Sequence, residues 1–175
     1  MHSVILVIGK DYEQELEPFN EELEVKPWFN ESLHPDEQQR FIEWAMTKDP
    51  TVVARTFDNV YNEHGEEWHG SGYQWKENAD GIWEVWSTYN PDGYWDWYSL
   101  GGRWSNNLIN KSGGECNQID KKNFKGYWQC AAIVHHGEWI EQDQYGSEEE
   151  FKAYVKQIIN EMDDDEWITS VDIHC

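Results

Sequence analysis

Positive charge is scarce in this chain: thirteen Lys and Arg stand against 35 Asp and Glu in 175 residues, for a formal net charge of −22. That balance excludes unaided binding to nucleic acid or to an anionic membrane and favours a basic partner instead. Cysteine is sparse as well. Cys116, Cys130 and Cys175 form no CxxC pair and are too few and too scattered for a disulfide framework, so a reducing compartment is expected. The apolar opening, SVILVIG from Ser3 to Gly9, is far too short to span a membrane and has no cationic leader before it. A cytoplasmic protein with no membrane partner follows as an expectation. The GxSxG, Walker and HExxH patterns are missing too, and Gly70-Ser71-Gly72 lacks the strand-to-helix elbow that a nucleophilic serine needs. No enzyme and no cofactor are expected.

Aromatic side chains fill the place that aliphatic ones leave. Hydrophobic residues make up only 38% of the chain, yet twelve tryptophans bury so much area each that a disordered chain is excluded. A length of 175 residues with no long linker indicates a single domain, 1–175.

The β-branched run Ser3–Gly9 fits a buried central strand. Asp11 to Glu24 then carries seven acidic residues around Pro18 and reads as an acidic connector, with Glu13, Glu15, Glu17, Glu21 and Glu22 as its surface charges. Pro35 to Lys48 predicts a helix, and Thr51 to Glu63 a second one between Pro50 and Gly65. The stretch 66–78 reads as loop or irregular strand, 78–81 as a turn, and 82–88 as a strand.

Residues 105 to 126 form a polar connector with four of the ten lysines, Lys111, Lys121, Lys122 and Lys125. Tyr127 to Glu141 reads as a hairpin. Ser147 with Glu150 makes a capping box ahead of the apolar stripe Phe151, Tyr154, Val155, Ile158, Ile159 and Met162, which marks a helix. Its end runs into Asp163, Asp164, Asp165 and Glu166, a second acidic surface that opposes the helix dipole. Trp167 to His174 alternates as a closing strand. This order predicts an α+β fold: a mainly antiparallel sheet with about three helices on one face, the first and last strands together at its centre, and a ferredoxin-like split as the candidate topology.

Metal ligation finds no support in the spacings. His64 and His69 with Glu63, Glu66 and Glu67 match no zinc pattern, and the adjacent His135 and His136 would point to opposite faces of a strand. No metal site is expected.

The most unusual chemistry lies in YNPDGYWDWYSLGGRW, Tyr89 to Trp104. Alternation would place Trp95 and Trp97 on one face, with Tyr94, Asp96 and Tyr98 on the other. Gly101-Gly102 bares the backbone, and Arg103, the only Lys or Arg between Glu77 and Asn110, sits beside Trp104. Trp95, Asp96, Trp97, Tyr98, Gly101, Gly102, Arg103 and Trp104 are therefore the candidate ligand- or partner-binding residues. The plainer reading makes the tryptophans core and Arg103 the ion-pair partner of Asp96.

STYNP and WDWYSLGGRW, together with the opening SVILVIG and the closing ITSVDIHC, resemble a family of uncharacterised acidic proteins encoded by bacteriophages and prophages. The resemblance implies a viral protein at work in the cytoplasm of an infected bacterium, and it brings no catalytic residues. Two functions fit. One is a non-enzymatic inhibitor that mimics nucleic acid with its carboxylates and docks on a basic host defence protein, such as a nucleic-acid-binding or nuclease effector, with tryptophan anchors. The other is a sponge for a nucleotide signal, with Trp95, Trp97 and Trp104 stacking on the base while Arg103 and the glycine amides hold a phosphate.

Overall fold

The computed structural model describes residues 1–48, 67–68 and 72–175. Its elements in chain order are β1 (His2–Gly9), α1 (Tyr12–Leu16), β2 (Trp28–Ser32), α2 (Pro35–Lys48), β3 (Tyr73–Glu77), β4 (Trp83–Ser87), β5 (Trp97–Leu100), β6 (Leu108–Asn110), β7 (Glu115–Cys116), β8 (Gln118–Asp120), β9 (Phe124–Tyr127), β10 (Ala132–His135), β11 (Glu138–Glu141), α3 (Glu148–Glu161) and β12 (Trp167–His174). The α+β class is as expected, and every named strand pair is antiparallel except β1 with β10. The helix expected over 51–63 and the residues His64 and His69 lie outside the described residues. No helix among the described residues is long and apolar enough to cross a membrane.

Backbone contacts gather the chain into two compact units, Met1–Leu23 with Pro91–Cys175, and Glu24–Asn90. The second unit is a three-stranded sheet, β2-β4-β3. Its core joins Phe41 and Ala45 of α2 to Trp75, Trp83 and Val85. Phe41 meets Trp75 at 4.8 Å and Trp83 at 6.1 Å, both edge-on, the arrangement the ring quadrupoles favour.

The first unit holds the larger sheet, in the order β11-β10-β1-β12-β5, with β8 also pairing with β12. The first and last strands are neighbours along their full length, from His2 opposite His174 to Gly9 opposite Trp167. β1 can be central because its run is apolar on both faces: Leu6 and Ile8 enter the core under α3, and Ile5 and Val7 enter the opposite core with Leu16, Phe19 and Trp95.

Three details of the expected layout are corrected. The expected helices do not share a face, since α2 packs on the three-stranded sheet and α3 on the larger one, whose other side is covered by α1, a helix within the expected acidic connector, and the 3₁₀ turn Glu17–Phe19. The ferredoxin-like split is also absent, because β10 lies directly beside β1 and parallel to it, with no strand between them. The "connector" 105–126 is no loop either: it supplies β6, β7, β8 and the start of β9, with Leu108 and Ile119 as its buried anchors.

Candidate functional site

The larger sheet has two ends, and each gathers candidate residues. At the end where β1 begins and β12 finishes, the central motif is laced to both strands. Asp96 sits in a bend, so the strand starts only at Trp97 and the alternation expected across 94–98 breaks there. Trp95 is accordingly core: it is 7% exposed, donates its indole N–H to the Leu16 carbonyl at 3.0 Å and meets Tyr98 edge-on at 5.0 Å. Tyr94 stacks on Trp139 at 4.5 Å on the same side. Trp97 is instead exposed and lies nearly parallel to His174, 5.8 Å away. The expected pairing of Trp95 with Trp97 on one face is therefore overturned, and Trp95 joins Tyr94 and Tyr98.

Two histidine–aspartate pairs complete this end. His174 Nδ1 lies 2.7 Å from Asp96, and that hydrogen bond, more than any other influence, holds the Asp96 carboxyl below its ordinary pKa. His2 Nδ1 lies 2.9 Å from Asp172, a buried carboxylate whose other oxygen accepts the Arg103 backbone N–H at 2.9 Å. Asp96 thus pairs with His174 rather than with Arg103, whose exposed guanidinium makes no ion pair among the described residues.

The two glycines are held in place too. Gly101 donates to Ser170 O at 2.9 Å, and Gly102, at φ +46°, packs its Cα against Asp172 and Ser99. Trp104 donates its indole N–H to Gln129 at 2.7 Å. The three indoles have three different sets of partners, and of the two glycine amides expected to cradle a phosphate, that of Gly101 already serves Ser170.

At the opposite end the two acidic stretches meet. Asp11 caps α1, its Oδ1 accepting from the Glu13 N–H at 3.0 Å, while Glu13 and Glu15 lie in the helix's first turn, where the dipole favours them. Lys10 Nζ reaches Asp165 at 2.6 Å. A cleft of about 390 Å³ is lined by Asp11 and Glu15 from one stretch and Asp163 and Glu166 from the other. Glu13, Glu17, Asp163, Asp164 and Asp165 are exposed and Glu15 is half-buried; Glu21 and Glu22 are exposed too, but they lie beside Trp95, whose carbonyl accepts the Glu21 N–H at 2.9 Å. Glu166 departs from the expectation: it is buried at 4% exposure, with Oε2 accepting the Asp163 N–H at 2.7 Å as the chain turns out of α3.

The histidine expectation is overturned here as well. β10 ends at His135, opposite Glu138, and the two-residue loop His136-Gly137 has φ of +53° and +75°, a type I′ pattern. His136 is therefore a turn residue, not a strand residue, and its ring comes to 3.8 Å from that of His135 instead of pointing away. Their Nε2 atoms lie 3.7 Å (His135) and 4.0 Å (His136) from Glu166 Oε1. Burial first, then the neighbouring His136, holds the His135 imidazole below its usual pKa, against the pull of Glu166 and Glu15. Sequence spacing gave no hint of this cluster, because Glu166 arrives from across the sheet; the His-Gly pair at the hairpin centre was the one legible clue.

Comparison with known protein families, with characterised proteins and with solved structures finds no match for this chain.

Proposed function

We propose that the protein is a non-enzymatic binding protein that sets its acidic end against a basic, nucleic-acid-binding surface of another protein. The observation that carries this reading is the convergence of Asp11 and Glu15 with Asp163, Asp165 and Glu166, about 150 positions apart in sequence, on one end of the sheet. An array of exposed carboxylates fixed on rigid elements resembles a row of phosphates in charge, and it steers a basic partner over distances set by salt. Trp167 follows Glu166 directly and is 42% exposed, so it offers a large aromatic anchor beside the charges. Trp97, 45% exposed at the other end, is a second exposed indole, whereas Trp95 is buried and cannot serve. The resemblance to phage-encoded acidic proteins suggests the setting: inhibition of a defence protein in the cytoplasm of an infected bacterium. Nucleotide capture has weaker support, since its indoles are dispersed and the Gly101 amide among its phosphate donors is in use.

The test is capture of host proteins on the immobilised chain, followed by measurement of the captured partner's affinity across a salt series. Affinity is expected to fall steeply as salt rises and the Debye length shrinks to about 8 Å. Replacing Glu13, Glu15, Glu17, Glu21 and Glu22 together by Gln is expected to abolish inhibition, with Arg103→Ala retaining it. Retained inhibition in the quintuple variant, with loss in Arg103→Ala and a nucleotide held by the wild-type chain, would sink the proposal.

A further inference from the structure

The His135, His136 and Glu166 cluster bears on more than surface charge. Three potential ligand atoms from these residues lie within 4.8 Å of one another. The spacing is wrong for hydrogen bonds: 3.7 Å and 4.0 Å from Glu166 Oε1 to the two Nε2 atoms are well beyond the normal range. His135 Nε2 is buried and has no hydrogen-bond partner among the described residues, which is costly in a folded protein unless something else satisfies the atom. Those separations approach the value of about 3.4 Å between ligands held tetrahedrally at about 2.1 Å from one zinc ion. The rest of the closure, from separations that reach no more than 4.8 Å within the set, falls to rotation of His136, whose side chain is 66% exposed at the hairpin tip.

The two more buried ligands are held from behind. Glu166 is oriented by the Asp163 N–H on its second oxygen, and His135 by its place at the end of β10 between β1 and β11. We infer that His135 Nε2, His136 Nε2 and Glu166 Oε1 form a binding site for one first-row divalent transition ion, zinc by preference. Two imidazoles and a carboxylate suit zinc, cobalt or nickel rather than calcium or magnesium, which take oxygen ligands. Three protein ligands leave a coordination position open, and this one faces the acidic cleft beside Glu15 and Asp163, where a water or a partner's side chain would complete the sphere. The negative surroundings offset the ion's charge. The site runs against the expectation from spacing alone, and it stands apart from the docking reading because the chain binds the ion by itself.

The experiment uses the full chain without an affinity tag, stripped with EDTA and titrated with Co²⁺ and then Zn²⁺, with no partner present. One Co²⁺ per chain is expected, with the visible absorption of a low-coordinate imidazole site, displaced by one equivalent of Zn²⁺. Zinc is also expected to raise the thermal midpoint, since the ion binds the folded state alone. His135→Gln, His136→Gln and Glu166→Gln should each weaken Zn²⁺ binding by at least the roughly tenfold that loss of an outer-shell partner causes. His64→Gln and His69→Gln should leave it unchanged. His136→Gln lies on the surface and Glu166→Gln keeps shape, so both are read on folded protein, checked by circular dichroism. Absence of saturable binding overturns the inference, and so does binding that survives the three ligand variants or is lost in the His64 or His69 variants.

Discussion

Single side chains decide how the central motif is held. A methyl at Gly102 would fall on the Asp172 side chain and 2.5 Å from Ser99 Oγ, at a positive φ that L-residues resist. Gly102→Ala is expected to cost about 2–4 kcal/mol, the sum of the left-handed penalty and overpacking against a buried carboxylate. Gly113 has φ +88°, and a methyl there would meet nothing within 4 Å among the described residues, so Gly113→Ala should cost only about 1–2 kcal/mol. Equal urea midpoints for the two variants would contradict this packing. Cys130 makes a second case. Burial, the largest cause, pushes its thiol up to about 12, and the proton is kept in the fold while an unfolded chain loses it near the ordinary value of 9. The folded state therefore binds more protons between those limits, so this contribution to stability is full below pH 9 and is lost as pH rises toward 12. Iodoacetamide at neutral pH should label the exposed Cys175 and spare Cys130 until denaturant is added, and Cys130→Ala should flatten the alkaline loss of stability.

At the scale of elements, α3 shows how far a periodic pattern carries. The stripe read from the sequence is the buried one: Phe151, Val155, Ile159 and Met162 are buried, with Tyr154 and Ile158 partly so. Ser147 caps the helix through the Glu150 N–H at 3.2 Å, while Glu150 reaches back to the Gly146 N–H, one residue before the reciprocal partner a capping box implies. Phe151→Ala is expected to cost about 3–5 kcal/mol and Ser147→Ala about 1 kcal/mol in denaturant unfolding. The helix's acidic exit, which opposes the dipole, is offset by Lys121 donating to the Met162 carbonyl at 2.7 Å. Lys121→Ala should lower stability by roughly 0.5–1 kcal/mol, a small effect that no local pattern around residue 162 announces. β12, in turn, carries apolar residues on both faces and a buried polar row, Ser170 and Asp172, on one of them. Asn107 satisfies Ser170 at 3.1 Å, and Asp172 is satisfied by His2 and the Arg103 amide.

For the molecule as a whole, the charge of −22 acts on folding and on binding with opposite signs. Self-repulsion in the compact state is relieved by screening, so the urea midpoint of the free chain is expected to rise with sodium chloride while affinity for a basic partner falls. A midpoint that falls with salt would mean that attractive pairs such as Lys10 with Asp165 outweigh the repulsion.

What the sequence determined by itself is what depends on neighbours in the chain: the β-branched run of β1, the stripe and cap of α3, the alternation of β12, the proline-started α2 and the α+β class that their order implies. These rest on periodicity and local backbone chemistry, which a sequence displays directly. The tertiary structure decided the rest. It split Trp95 from Trp97 at the Asp96 bend and gave Asp96 to His174. It took Glu166 off the surface, turned His136 back over His135, and laid α1 and α3 on opposite faces of one sheet. Each of those outcomes depends on which strand lies beside which, and on the turn that joins them. Register along β1 and β12 brings Gly9 to Trp167 and so joins the two acidic stretches at one end of the sheet, a juxtaposition that spacing along the chain does not encode.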